Sequence, residues 1–185
     1  MKKNIIFWIF LLSFIISCNQ TGQKDKKDEA KREKTDTLKA EALLTPASGS
    51  NASGKAVFKQ IGDSIKFILD IRNVTPGIHA VHLHEKGDCS AEDASSAGGH
   101  WNPDNKKHGK RGKGEYHKGD ISNFIVKEDS TGYFEMTVGG WTIGGPEKSN
   151  ILNKAVIVHA NADDFSTQPT GDAGPRIACG VIKVK

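Results

Sequence analysis

The sequence predicts an all-β domain, an antiparallel sandwich or flattened barrel of about eight strands. Short segments alternate apolar and polar residues, turn-forming residues recur between them, and no convincing amphipathic helix appears. Long polar stretches interrupt the strands and hold several histidines, so the chemistry belongs to the loops.

The chain of 185 residues has the length of one domain plus appendages. Met1-Lys2-Lys3 is a positive start, and Ile5 to Ile16 is an apolar run short for a membrane span and suited to a secretory leader. It ends in Ile15-Ile16-Ser17-Cys18, which resembles the lipobox of bacterial lipoproteins. The expectation is a signal peptide over residues 1–17, with Cys18 acylated through its sulfur as the first mature residue. An ordinary signal peptide with an incidental cysteine is the alternative. Cleavage removes Lys2 and Lys3 and no acid, so the formal charge falls from +4 to +2. Such a near-neutral chain gives no sign of nucleic-acid binding. Residues 18–36 are rich in Lys, Asp, Glu and Gln and almost free of apolar side chains, which predicts a solvated tether. The folded domain is expected over residues 37–185.

Thr37 to Leu44 alternates as a strand. Lys55 to Gln60, the Gly62-Asp63 turn and Ser64 to Val74 form a hairpin, with Ile65, Phe67, Leu69 and Ile71 on one face of its second strand. Pro76-Gly77 breaks the chain before His79-Ala80-Val81-His82-Leu83-His84. Alternation puts His82 and His84 on one face there, and Val81 and Leu83 on the apolar other. From Gly87 to Asp120 no period survives, and a loop of that length inside a compact domain needs a functional or covalent reason. Strands return at Ile121 to Lys127, Tyr133 to Val138, Lys154 to His159 and Ala178 to Val184.

His82 and His84 alone could face solvent. The long loop changes the odds, because it carries His100, His108 and His117 and closes with Asp120. Three imidazoles and one carboxylate complete a tetrahedral site suited to zinc, and their spacing requires a folded loop that a metal would stabilise. Cys89 and Cys179 remain in the exported domain, which favours a disulfide over two free thiols.

Six segments then resemble the copper/zinc superoxide dismutase family, in the family's order and over nearly all of Leu38 to Val184. They are Gly77 to His84, Gly87-Asp88-Cys89, Ser96 to Pro103 with Lys107-His108-Gly109, His117 to Asp120, Val158 to Asp164, and Gly174 to Gly180. The resemblance implies a Greek-key topology with long metal-binding loops. It implies copper on His82, His84, His100 and His159, and zinc on His100, His108, His117 and Asp120. His100 would be shared by both metals as a bridging imidazolate and act as a proton donor. Arg176 would be the active-site arginine that attracts superoxide. Asp163 would link a copper ligand to a zinc ligand, and His79 would hold structure without binding metal. Cys89 and Cys179 match the family's disulfide.

The implied activity is conversion of superoxide and protons to oxygen and hydrogen peroxide by Cu(II)/Cu(I) cycling. A copper- and zinc-holding lipoprotein without useful turnover is the alternative. The implied setting is the bacterial cell envelope, on the periplasmic side or the cell surface, with the membrane reached through Cys18. Lys106, Lys107, Lys110, Arg111, Lys113 and Lys118 are a candidate positive approach path. The segment from Phe165 to Pro175 is shorter than the charged loop that guides the substrate in family members and carries Asp172 but no lysine, so guidance by it is an open expectation. A homodimer is an open expectation; Trp101 and Trp141, taken as exposed, do not mark an interface.

Overall fold

In the computed structural model the described residues are 38–185. The expected leader, Cys18 and the tether lie outside them. Nine strands form, β1 Lys39–Pro46, β2 Ser53–Ile61, β3 Ser64–Arg72, β4 Gly77–His84, β5 Asp120–Val126, β6 Thr131–Gly139, β7 Ala155–His159, β8 Arg176–Val181 and the two-residue β9 Lys183–Val184. Neighbours run in the order β2-β3-β6-β5-β4-β7-β8-β1-β9, and β1 also pairs with β2. That last pairing closes an eight-stranded antiparallel barrel and leaves no long open edge. The β3–β6 and β4–β7 neighbours skip over intervening strands, as a Greek key requires.

A strand forms at each expected segment with its ends shifted: the first runs Lys39–Pro46 rather than Thr37 to Leu44, and the last begins at Arg176 and breaks at Ile182. In β3 the residues Ile65, Phe67, Leu69 and Ile71 are fully buried, while Asp70 and Arg72 are exposed. They join Phe58, Trp141, Val81 and Leu83 in one core that fills the barrel. Phe58 and Phe67 pack at 5.3 Å between ring centroids, and Trp141 lies 6.2 Å from Phe58, within the range of favourable tilted pairs. Trp101 and Trp141 are therefore core residues at 3% and 0% exposure, which corrects their reading as exposed. The period cannot detect them because both stand in irregular segments outside the named strands.

The histidine strand departs from a one-sided pattern. From His79 to His84 every residue of β4 is buried. Val81 and Leu83 face the core, as alternation predicts, and the other side is covered by the long loop rather than by solvent. The loop lies against β4 through main-chain bonds: Leu83 N–H donates to Gly119 O, and Trp101 N–H donates to Leu83 O, both at 2.8 Å. Gly119 permits the approach, since a Cβ there would overlap the Leu83 carbonyl.

Cys89 and Cys179 form a disulfide across a separation of 90 residues, with Cα atoms 5.8 Å apart. It ties the start of the long loop to β8, the strand that begins at Arg176. In the chain-entropy model a closed loop of that size is worth about 4–5 kcal/mol. We expect the double variant Cys89→Ser/Cys179→Ser to lose stability of that order in urea, with a larger m-value because the denatured chain without the cross-link exposes more surface.

Candidate metal centre

Two β-bulges begin the site. The β4–β5 register shifts between Val81 and His82, and the β7–β8 register shifts between Val158 and His159. Bulges re-aim the side chains beside them, and both occur at a histidine of one cluster. The long loop returns antiparallel to β4 at a bridge between His84 and His100. The ring centroids of His82 and His84 then lie 4.1 and 5.0 Å from that of His100. The centroids of His108 and His117 lie 5.3 and 5.5 Å away from it.

Seven of the sequence-predicted residues are thereby gathered into two buried sets. His82, His84, His100 and His159 offer ligand atoms within 4.8 Å of one another, and so do His100, His108, His117 and Asp120. His100 is common to both.

Hydrogen bonds fix which nitrogen of each ring is free. His82 donates from Nε2 to Asp163 Oδ2 at 2.8 Å, His84 from Nδ1 to Gly98 O at 2.8 Å, and His159 from Nδ1 to Gly174 O at 3.2 Å. On the other side His108 donates from Nε2 to Asp163 Oδ1 at 2.9 Å. The opposite nitrogens, His82 Nδ1, His84 Nε2, His159 Nε2 and His108 Nδ1, are buried with no hydrogen-bond partner, as are His100 Nε2 and His117 Nδ1. Six orphaned nitrogens converging in two places would be costly unless something accepts their lone pairs. Cations answer that need. Four imidazoles suit copper, and three imidazoles with a carboxylate suit zinc. The residues present therefore fit both metals.

Asp163 is the link between the sets, with one oxygen on His82 and the other on His108. Its own main chain is held by Asn123, which donates to Asp163 O at 2.9 Å and accepts from Asp163 N–H at 2.8 Å. Asp120 turns one carboxylate oxygen to the N–H groups of His117 and Gly109, at 2.8 and 3.2 Å. Its other oxygen lies 2.7 Å from His100 Nδ1. His79 takes no part in either set. Its ring nitrogens lie 3.0 Å from His159 O and 2.8 Å from Thr75 O, a structural bridge as expected.

Arg176 donates to Ala94 O at 2.6 Å and to Gly98 O at 2.8 Å. Gly98 O therefore accepts from both Arg176 and His84, which holds the guanidinium beside the His84 side of the centre. The expected approach path is narrower than its six residues. Arg111 turns inward, with its guanidinium carbon 5.1 Å from the ring centroids of both Tyr116 and Trp141. It donates from Nε to Asp120 O at 2.6 Å and from Nη2 to Lys118 O. Lys118 donates to Lys148 O at 2.9 Å and lies 3.7 Å from Asp104. Both serve the loop's own structure; the run of charge does not reveal this, because side-chain direction in a loop has no period. The Asn123 amide and the carbonyls of Gly98 and Ala94 act here too, although main-chain carbonyls and a lone amide leave no mark in a sequence.

Burial holds His84 and His159 well below the usual histidine range, helped by the other imidazoles around them. Burial lowers His100 to about 4, against the opposing pull of its bond to Asp120. Burial depresses His108, but the Asp120 carboxylate 3.1 Å from its Nδ1 and the bonded Asp163 carboxylate outweigh this and raise it to about 9. Burial would raise Asp120 and Asp163, yet the hydrogen bonds from the surrounding histidines hold both well below the usual carboxylate range. The centre thus favours neutral imidazoles on the side of His84 and His159 and ionised carboxylates throughout, the states that bind cations.

A closed antiparallel barrel with paired buried sites sharing one imidazole defines a two-metal protein. The copper/zinc superoxide dismutase family model matches residues 52–182, and the chain belongs to that family. It is 33% identical over 159 residues to the extracellular copper/zinc superoxide dismutase of Brugia pahangi, covering 81% of this chain and 78% of that one. The crystal structure of the clock protein EA4 superposes with a TM-score of 0.71 at 32% identity, covering 82% of this chain and 97% of that one.

The pKa directions predict how the metal-free protein responds to acid. Between pH 6.5 and about 4 the unfolded chain binds protons at His84, His100 and His159 that the fold refuses, so stability falls as pH drops. The His100 displacement alone, from 6.5 to about 4, is worth roughly 3 kcal/mol. Asp120 and Asp163 extend the loss below the ordinary carboxylate range. His108 acts oppositely, contributing fully below pH 6.5 and losing its contribution as pH climbs through about 9. Urea unfolding of the metal-free protein should therefore show a midpoint that declines steadily from pH 6.5 to 4.

Proposed function

We propose that this superoxide dismutase works at a copper held by His82, His84, His100 and His159, beside a zinc held by His100, His108, His117 and Asp120. The observation that carries the assignment is the set of six buried, unpartnered imidazole nitrogens divided between the two sides of His100. When bound, copper supplies the one-electron couple and zinc a fixed charge that does not change oxidation state. Everything else falls to the chain. Arg176 draws the superoxide anion in with a permanent cation, kept in place by Ala94 O and Gly98 O. His100 carries a proton at Nε2 and releases it to the reduced dioxygen as a general acid. Asp163 fixes the tautomers of His82 and His108. Two superoxide ions and two protons give one oxygen and one hydrogen peroxide. Lys106, Lys107, Lys110 and Lys113 would steer the anion, now without Arg111 and Lys118.

We further propose that the protein is a lipoprotein of a bacterial cell envelope, with a signal peptide over residues 1–17, a lipid on Cys18, a tether to residue 36 and the catalytic domain from 37 to 185. The lipobox-like Ile15-Ile16-Ser17-Cys18 supports the anchor. The disulfide and the extracellular relative favour export to an oxidising compartment. A homodimer has a candidate face in the cross-strand neighbours Ile78 and Ile125, 56% and 68% exposed.

Metal-loaded protein should disproportionate superoxide in a pulse-radiolysis or stopped-flow assay. His159→Ala should lose at least about a hundred-fold, since losing even an outer partner of a ligand costs ten- to a hundred-fold. Tight binding of both metals without turnover would point instead to a metal-holding protein, and equal activity in the variant would contradict the copper assignment.

A further inference from the structure

The segment after Asp163 brings no lysine to the centre, and the chemistry above leaves it without a task. Its hydrogen bonds supply one. Gln168 Oε1 accepts from the His108 N–H at 2.9 Å, and Gln168 Nε2 donates to the His108 carbonyl at 3.0 Å. This is the double pairing that a neighbouring strand would make. Among the described residues the main chain of His108 has no other hydrogen bond.

The segment is built to hold that amide still. The Asp164 carboxylate accepts from the N–H groups of Ser166 and Thr167, both at 2.8 Å, and from the Thr167 hydroxyl at 2.5 Å. Gly171 N–H closes the turn onto Thr167 O at 2.7 Å, and Asp164 N–H donates to Gly171 O at 2.9 Å. Gly171 lies at φ +70°, and a Cβ there would overlap the Asp163 carboxylate and press to 2.6 Å from His108 Nε2. The turn therefore sits directly against the His108–Asp163 bond. His108 is gripped at both ends, its ring by Asp163 and its main chain by Gln168.

We propose that Gln168 is a positioning residue for the zinc side, and that the turn from Asp164 to Gly171 is a clasp that sets how long zinc stays bound. The proposal rests on the reading of His108 as a zinc ligand. Metal leaves a chelating site one ligand at a time, so the dissociation rate depends on how often a ligand swings away. Without the Gln168 amide, the His108 peptide groups would turn to water, and resistance to that motion would fall to the ring bond to Asp163 and the contacts of Asp120 with the ring and with Gly109. Orienting partners of this kind typically change metal affinity ten- to a hundred-fold.

The test uses the full chain loaded with copper and zinc, in wild-type, Q168A, Q168E and H108A forms. Zinc release to a chromophoric chelator is followed at neutral pH, with cobalt substituted for zinc in parallel samples to report ligand geometry by its visible spectrum. Release from Q168A should be about ten-fold faster than from wild type. Q168E, which keeps the acceptor for the His108 N–H and loses the donor to its carbonyl, should fall between the two. The thermal midpoints of the metal-free wild-type, Q168A and Q168E forms should coincide, which separates a role at the metal from a general loss of stability. Release from Q168A at the wild-type rate, with an altered H108A cobalt spectrum, overturns the clasp alone. An unchanged cobalt spectrum in H108A overturns the ligand reading and the clasp with it.

Discussion

Four buried imidazoles of the centre, those of His82, His84, His108 and His159, spend one nitrogen on the protein, which leaves the other to face a metal. That constraint organises the structure around it. Asp163 takes a proton-bearing nitrogen from each side, Gly98 O and Gly174 O take two more, and Asp120 lies against His100. The barrel supplies a rigid wall, and the loops supply the acceptors. Six buried imidazole nitrogens without a hydrogen-bond partner are costly on their own account, and bound cations would offset that cost.

The barrel and the loops divide the work unevenly. β4 and β7 contribute His82, His84 and His159 from stiff strands, with bulges adjusting His82 and His159. Of the remaining candidate ligands, His108 and His117 sit on irregular backbone that must be held piece by piece. Arg111 grips the main chain at Asp120, Asn123 grips Asp163, and Gln168 grips His108. The disulfide ties the loop's first turn to the strand of Arg176, so the guanidinium and the loop carbonyls it binds belong to one covalently closed unit.

Much of the fold was legible because a strand with one core face must alternate. β3 shows this plainly, and so does the split of His82 and His84 from Val81 and Leu83. The last strand was less legible: pairing begins at Arg176 rather than Ala178, and Ile182 interrupts it. Strand ends depend on partners, which local pattern does not contain. The candidate ligand residues were legible as types in a motif order, imidazoles and a carboxylate being scarce and chemically marked. What holds them was not. Gln168, Asn123 and the carbonyls of Gly98 and Ala94 act through loop conformations with no period. Arg111 reads as one more surface cation until Tyr116 and Trp141 are seen on either side of it.

The central claim is that one imidazole, His100, stands between two different metals. Anomalous diffraction from crystals of the copper- and zinc-loaded protein, collected on either side of each absorption edge, tests it most directly. The account predicts a copper peak among His82, His84 and His159, a zinc peak among His108, His117 and Asp120, and His100 touching one with Nε2 and the other with Nδ1. A single metal peak, or two peaks of which only one contacts His100, would contradict it.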